Sequence, residues 1–245
     1  MAIKVAEAIG SETGGKDGAA GDQTGNEILV RTFKPRSYSF TQNLRCTQRT
    51  TAVNAADIIT RIALCASFGY SQKNRWTGAK NIEKVGVANL EQAAPGDFDC
   101  SSLVIESYRL AGVPLKMTGY TGSMYKLMKE TGYFEDVDLS DVNNARIGDV
   151  MIAPSKHTLM VITDGTNVEP EPVEGAYVEI LKGSVNVRKQ PAGKVYKIAH
   201  AGDRFPYLGY EEPDSTGKLW YAVDVNHMIG FISTAIPKYA VLVEV

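Results

Sequence analysis

Cysteine is scarce in this 245-residue chain: Cys46, Cys65 and Cys100 are all it has. They lie far apart and form no CxxC pair, which excludes a zinc ribbon and a disulfide framework. Their odd number leaves at least one thiol free unless two chains pair. Histidine is equally scarce, with His157, His200 and His227. Charge of one sign is lacking too. The 26 Lys and Arg nearly balance 28 Asp and Glu, for a net charge of -2. The basic residues are scattered, so the chain carries neither a nucleic-acid footprint nor a patch for an anionic membrane. No apolar run reaches the ~20 residues that span a bilayer. The opening Met1-Ala2-Ile3-Lys4-Val5-Ala6 leads into no apolar segment of signal-peptide length. The expectation is therefore synthesis in the cytoplasm without a signal peptide, so that an external substrate would need another route. No long internal repeat is evident.

What is present describes an ordinary globular protein, 44% hydrophobic and 22% charged, long enough for one large domain or two smaller ones. Gly10 to Gly25 is rich in Gly, Ser, Thr and Asp and reads as a loop. Ile28-Leu29-Val30 suits a strand or buried turn. Ala52 to Phe68 carries apolar residues at helical spacing, with Asn54 as a plausible N-cap and Gly69 as a stop. Tyr70 to Pro95 looks irregular, broken by Gly78 and Gly86. Cys100 to Leu110 is a second helix, capped by Asp99 and ended by Gly112 and Pro114. Thr121 to Thr131 is a third.

From Gly148 the period becomes that of strands. Asp149 to Ile152 is one and His157 to Ile162 another, with Asp164-Gly165 predicting a turn into a third around Asn167-Val168-Glu169. Helices first and strands later predict an α+β domain. Pro170 to Gly175, with two prolines and two carboxylates, reads as an extended linker. Beyond it come short alternating runs: Val178 to Leu181, Ser184 to Arg188, Val195 to Ala199, Arg204 to Leu208, Trp220 to Val225 and Gly230 to Ile232. These predict a small all-β barrel of about 70 residues. The divisions are residues 1–170, a linker at 171–176, and the barrel at 177–245.

Cys100 opens a helix. The unsatisfied N–H groups and the macrodipole there favour a thiolate, which is the nucleophilic form, and the same groups can hold an oxyanion. A free cysteine is more commonly a buried core residue, so position alone does not decide its role. His157 is the only histidine before residue 200. An imidazole base within the cysteine's own domain must then be His157. Its ring needs an orienting polar group, and Asp164, Asn167 or Glu169 could serve.

The run Asp99-Cys100-Ser101-Ser102-Leu103-Val104, then Gly148-Asp149-Val150, then His157 opening an apolar strand, resembles the NlpC/P60 family of cell-wall peptidases. Gly69-Tyr70-Ser71-Gln72 with Arg75-Trp76, and Ala20-Gly21-Asp22-Gln23-Thr24-Gly25, resemble phage and prophage endolysins of Gram-positive hosts. The likeness covers roughly residues 15–170. It implies a papain-like α+β fold with Cys100 as nucleophile and His157 as base. It also implies a third catalytic residue twelve positions after the histidine, which is Glu169 here. The family usually has His, Asn or Gln there, so Glu169 is a departure, although a carboxylate can also orient an imidazole. Tyr70, Asp99 and Ser101 match positions that contact the amine end of a murein stem peptide, and Trp76 joins them as a substrate-binding candidate. Asp99 is equally well explained as an N-cap.

The C-terminal runs Ser184 to Arg188, Gly202-Asp203, Trp220 to Val223 and Gly230 to Ile232 resemble a bacterial SH3 (SH3b) domain, a fold that often holds endolysins on wall peptide or glycan. Tyr207, Tyr210, Trp220 and Tyr221 could form a binding surface, with Trp220 better read as barrel core. The resemblance implies an endolysin-like hydrolase whose partner is peptidoglycan, acting without metal or organic cofactor after release through a holin-type lesion. The bond it implies is the γ-D-glutamyl linkage to the diamino acid of the stem peptide. An N-acetylmuramoyl-L-alanine amidase and a non-catalytic wall-binding or virion module stay open as alternatives.

Overall fold

The computed structural model describes residues 3–168, 172–226 and 228–244. The chain divides between Val168 and Glu169 into two compact units.

The first unit mixes helices and strands. Its strands are β1 (Lys4–Ala8), β2 (Ile28–Thr32) and β3 (Gln42–Cys46), and helix α1 (Arg49–Ala63) follows. Next come β4 (Phe68–Tyr70), α2 (Thr77–Val85), β5 (Gly96–Phe98) and α3 (Cys100–Leu110). The unit ends with α4 (Met124–Lys129), β6 (Phe134–Asp136), β7 (Val150–Ala153) and β8 (His157–Val161). Six strands form an antiparallel sheet in the order β2-β1-β8-β7-β3-β6, and β4 pairs with β5 in a short parallel ribbon.

Both faces of the sheet are covered. Ala6, Ala8, Val150, Ile152 and Met160 share the main core with α1 and α3, through Ile59, Ile62, Leu103 and Val104. The alternate residues Ile3, Val5, Met151, Leu159 and Val161 pack under Leu139, Ala145, Phe33 and Phe40. The alternation of side chains along a strand thus divides β1 and β8 between two cores.

Gly148 and Asp149, prominent in the sequence, lock this arrangement. Gly148 has φ of 87°, and a Cβ there would lie 2.6 Å from the Ala52 side chain. Only glycine allows both the left-handed backbone and that approach to α1. Tyr108 of α3 donates its hydroxyl hydrogen to the Gly148 carbonyl. Asp149 is fully buried and accepts from Arg45 through both oxygens, at 2.9 and 2.7 Å. Burial nevertheless raises its carboxyl above the ordinary value.

Several expected boundaries move. Helix α1 begins at Arg49 after Gln48, so Asn54 lies within it on the exposed side and is no cap. It ends at Ala63, well before Gly69, because Phe68–Tyr70 is needed as a partner for β5. The irregular stretch contains α2, and Gly78 lies inside it: a Cβ there would strike the Phe98 ring, so this glycine permits packing. Helix α4 is shorter than Thr121 to Thr131. Asn167 and Val168 form no strand. The segment after β8 turns back onto residues 143–145, with Gly165 donating to Ala145 at 2.7 Å and Asn167 to Asn143 at 2.9 Å. The free edge of β8 is taken by β1 instead.

In the second unit the strands are β9 (Tyr177–Ile180), β10 (Ser184–Arg188), β11 (Val195–His200) and β12 (Arg204–Pro213). They continue with β13 (Leu219–Asp224), β14 (Ile229–Ser233) and β15 (Ala240–Val243), in the order β11-β10-β14-β13-β12-β9-β15. Val178, Ile180, Val187, Phe205, Val223 and Ile232 fill its core. Of the expected linker, Val173 donates to Tyr207 at 2.7 Å, and both Val173 and Ala176 are buried.

Candidate active site

Asp99 and Ser102 form a reciprocal cap at the start of α3. The Asp99 carboxylate accepts from the Ser102 N–H at 2.7 Å, and the Ser102 hydroxyl accepts from the Asp99 N–H at 2.9 Å. Such boxes hold a helix start in one geometry, and here they fix Cys100 as the first helical residue. Its thiol is met by the backbone N–H groups of Thr158, Ser101 and Cys100 itself. Thr158 follows His157, so the start of α3 and the start of β8 converge on the sulfur.

The helix start does not by itself ionise the thiol. Burial, reinforced by the negative charge of Asp99, pushes Cys100 up to about 12, and the three N–H groups lower it less. The sequence-based expectation of a lowered value is therefore reversed: desolvation of the charged form outweighs the helix terminus.

His157 is placed by a tight hairpin, with Lys156 N–H donating to Ala153 at 3.0 Å and Ala153 facing His157 across β7 and β8. Its Nε2 lies 2.5 Å from Oε2 of Glu7, a carboxylate with no solvent exposure. Val5 pairs with Val161 and Ala6 with Met160. Continuing that register sets Glu7 opposite Leu159, two residues from His157 on the same face, within reach of long side chains. Two guanidiniums hold the carboxylate: Arg31 donates to Oε1, and Arg36 to Oε2 at 2.6 Å. Tyr38 stands edge-on to the imidazole at 6.4 Å between centroids, and Phe40 lies 6.5 Å away. Burial raises the Tyr38 hydroxyl above its usual value, with the charges of Glu7 and Cys100 adding to the effect.

The other candidates take distinct places. Tyr70 is buried; burial drives its hydroxyl up to about 12, the Cys100 and Asp99 charges contribute, and Gln72 donates to it at 3.1 Å. Ser101 is buried and donates to Asp99 at 2.8 Å. Asp99 also accepts from Arg75 at 3.1 Å, so both of its oxygens are engaged within the chain. Trp76 lies half-buried at the start of α2, with the Arg75 guanidinium 5.8 Å from its ring. Glu169 lies outside the described residues. Of the other two possible orienting groups, Asp164 pairs with Arg49 at 2.7 Å and Asn167 donates to Asn144 at 3.1 Å.

The sequence reading missed Glu7, Arg31, Arg36, Tyr38 and Phe40. The available signal was a lone carboxylate in an otherwise apolar segment from Val5 to Ile9, which predicts a buried, partnered charge.

The model of the endolysin-like domain family matches residues 5–168. The chain belongs to that family. Membership suggests a phage-type hydrolase acting on peptidoglycan. The match begins inside β1 and ends where the first unit ends, so it includes Glu7, Cys100 and His157 together. No curated protein and no solved structure matches the chain. Among the described residues no helix is long and apolar enough to cross a membrane, and no group of three or more acidic, histidine or cysteine side chains could hold a metal.

Aromatic residues of the second unit divide by burial. Trp220 is in a core cluster with Leu208, Ala222 and Phe231, and its indole donates to Asp214 at 3.2 Å. Tyr207 and Tyr221 meet edge-on at 6.1 Å. His200 bonds Ser184 at 3.0 Å, and His227 lies outside the described residues.

Proposed function

We propose that this endolysin-like protein is a cysteine peptidase of the NlpC/P60 kind that cuts the stem peptide of peptidoglycan. The observation that carries the reading is the convergence of the α3 N-terminus on Thr158, beside His157.

A thiol raised to about 12 is not ionised at neutral pH. Attack must therefore be accompanied by proton transfer to a base, and His157 is the histidine at hand. Because Nε2 faces a carboxylate, the hydrogen of the neutral ring sits on Nε2 and Nδ1 carries the lone pair. The Cys100 S–H proton passes to Nδ1 as sulfur bonds to the peptide carbonyl carbon. The capping box takes the Ser102 N–H, and those of Cys100 and Ser101 lie at the sulfur, where an oxyanion would form. Collapse breaks the C–N bond, and the leaving amine takes the proton from His157. Water, deprotonated by His157, then releases the acid and restores the thiol.

The bond we assign is the γ-D-glutamyl linkage to the diamino acid, with Tyr70, Asp99, Ser101 and Trp76 on the substrate side. The second unit is read as an SH3b domain that holds the enzyme on the wall, and its buried Trp220 serves the barrel core. Clearing of purified Gram-positive walls by wild type and Cys100→Ala tests the mechanism: equal clearing sinks it. Mass spectrometry of the digest tests the bond. Whole stem peptides freed from muramic acid would make the enzyme an amidase instead.

A further inference from the structure

We infer that Glu7, delivered by the first strand, is the residue that positions His157 and fixes its tautomer for catalysis. The inference rests on the Cys100–His157 reading above and concerns which group completes the pair.

Three observations converge on Glu7. Its carboxylate is fully buried, and Oε2 lies 2.5 Å from the imidazole Nε2. It shares a sheet face with His157, on adjacent strands, so the backbone ladder sets their separation. Arg31 and Arg36 grip it from β2 and from the loop that follows, one on each oxygen. A carboxylate held on both sides cannot swing away from the ring, and one ring tautomer is thereby selected.

A buried carboxylate is costly unless its charge is answered. Arg31 and Arg36 answer that charge, and Oε2 is shared between Arg36 and the imidazole. The sharing keeps the carboxylate in contact with the ring, where it favours a hydrogen on Nε2 and leaves Nδ1 to accept a proton. The charged and titratable groups around the pair are Arg31 on β2 and Arg36 and Tyr38 on the covering loop, and the Cys100 charge reaches Tyr38.

The test uses the full chain with Glu7→Gln, Glu7→Asp and Cys100→Ala, each checked for folding by thermal unfolding. Two readouts are taken: clearing of purified Gram-positive walls, and the rate of Cys100 alkylation by iodoacetamide against pH. Without the carboxylate, His157 is no longer held in the tautomer that accepts the Cys100 proton. We expect Glu7→Gln to clear walls on the order of 10²- to 10⁴-fold more slowly. Its Cys100 alkylation should slow near neutral pH, where reaction depends on proton transfer to His157, and approach the wild-type rate at alkaline pH, where the thiol ionises by itself. Glu7→Asp, with its carboxylate one methylene further from the ring, should fall between the two.

A folded Glu7→Gln with a wild-type alkylation profile overturns the assignment, even if clearing slows, because a merely structural role would leave the profile unmoved. If Glu7→Gln does not fold, Glu7→Asp decides in the same way. Cys100→Ala separates the two levels. Normal clearing by that variant removes the Cys100–His157 reading and the role of Glu7 with it. A dead Cys100→Ala beside a wild-type Glu7→Gln removes only the role of Glu7.

Discussion

Glu7 and His157 are 150 positions apart in the chain and 2.5 Å apart in space. The contact exists because β1 adds to the free edge of β8. Residues before the glycine-rich loop are thus part of the endolysin-like unit, and this carboxylate is buried beneath the side chains that cover the histidine.

The charge of Asp99 is the second-largest influence on the Cys100 thiol, and it raises it. Asp99→Asn keeps an oxygen to cap α3 but removes that charge. The thiol should then ionise at lower pH, and iodoacetamide should react faster at a given pH below the transition. If Asp99 also holds the substrate's amine end, wall clearing should fall in the same variant. Alkylation no faster than wild type would show that Asp99 does not act on the sulfur through its charge.

Asp97 is buried under the loop at Gly21, and burial pushes its carboxyl up to about 6, with Glu27 and Glu12 adding to the effect. A folded-state value above the unfolded one favours the protonated form in the fold. The contribution to stability is complete below the ordinary value of 3.8 and is lost as pH rises through about 6. Asp97→Asn should abolish that component. The difference in Tm between variant and wild type should move in favour of the variant between about pH 4 and pH 7, a trend absent if Asp97 titrates normally.

Arg45 answers the buried charge of Asp149. Arg45→Met leaves that carboxylate without its guanidinium, held by the Arg146 N–H at 2.8 Å, and should cost about 3–5 kcal/mol in denaturant unfolding. A loss below ~1 kcal/mol, the range of exposed pairs, would mean that water reaches Asp149.

Gly148→Ala combines a left-handed backbone with contacts of 2.6 Å to Ala52 and 2.9 Å to the Tyr108 hydroxyl. Gly132 has a similar φ of 77° but nothing within 4 Å of a Cβ. Gly132→Ala should therefore show the backbone penalty alone, about 1–2 kcal/mol. Gly148→Ala should lose about 1–3 kcal/mol more from overpacking. Equal losses in the two variants would show that α1 yields without cost.

Much of the fold was legible in the chain. The Cys100 to Leu110 helix lies where its capping residue and apolar spacing place it, and the strand at Ser184 to Arg188 matches its alternation residue for residue. Strand β12 runs to Pro213, past the expected Leu208, and β15 was not foreseen. Both depend on pairing: β12 bonds β9 at one end and β13 at the other, and β15 bonds β9. Neither partner is visible from a strand's own residues.

By itself the sequence determined the local elements and the chemical inventory: a cysteine opening a helix, one histidine before residue 200, and the alternation of an all-β second unit. These follow from short-range periodicity and composition. Among the described residues, tertiary structure alone decided which polar group meets the imidazole, because Asp164 and Asn167 are near in sequence yet bonded elsewhere, and Glu7 is distant yet adjacent through the sheet. It also decided the state of the thiol. A helix terminus favours the anion, but desolvation depends on everything packed around the sulfur, and at Cys100 desolvation is the larger effect.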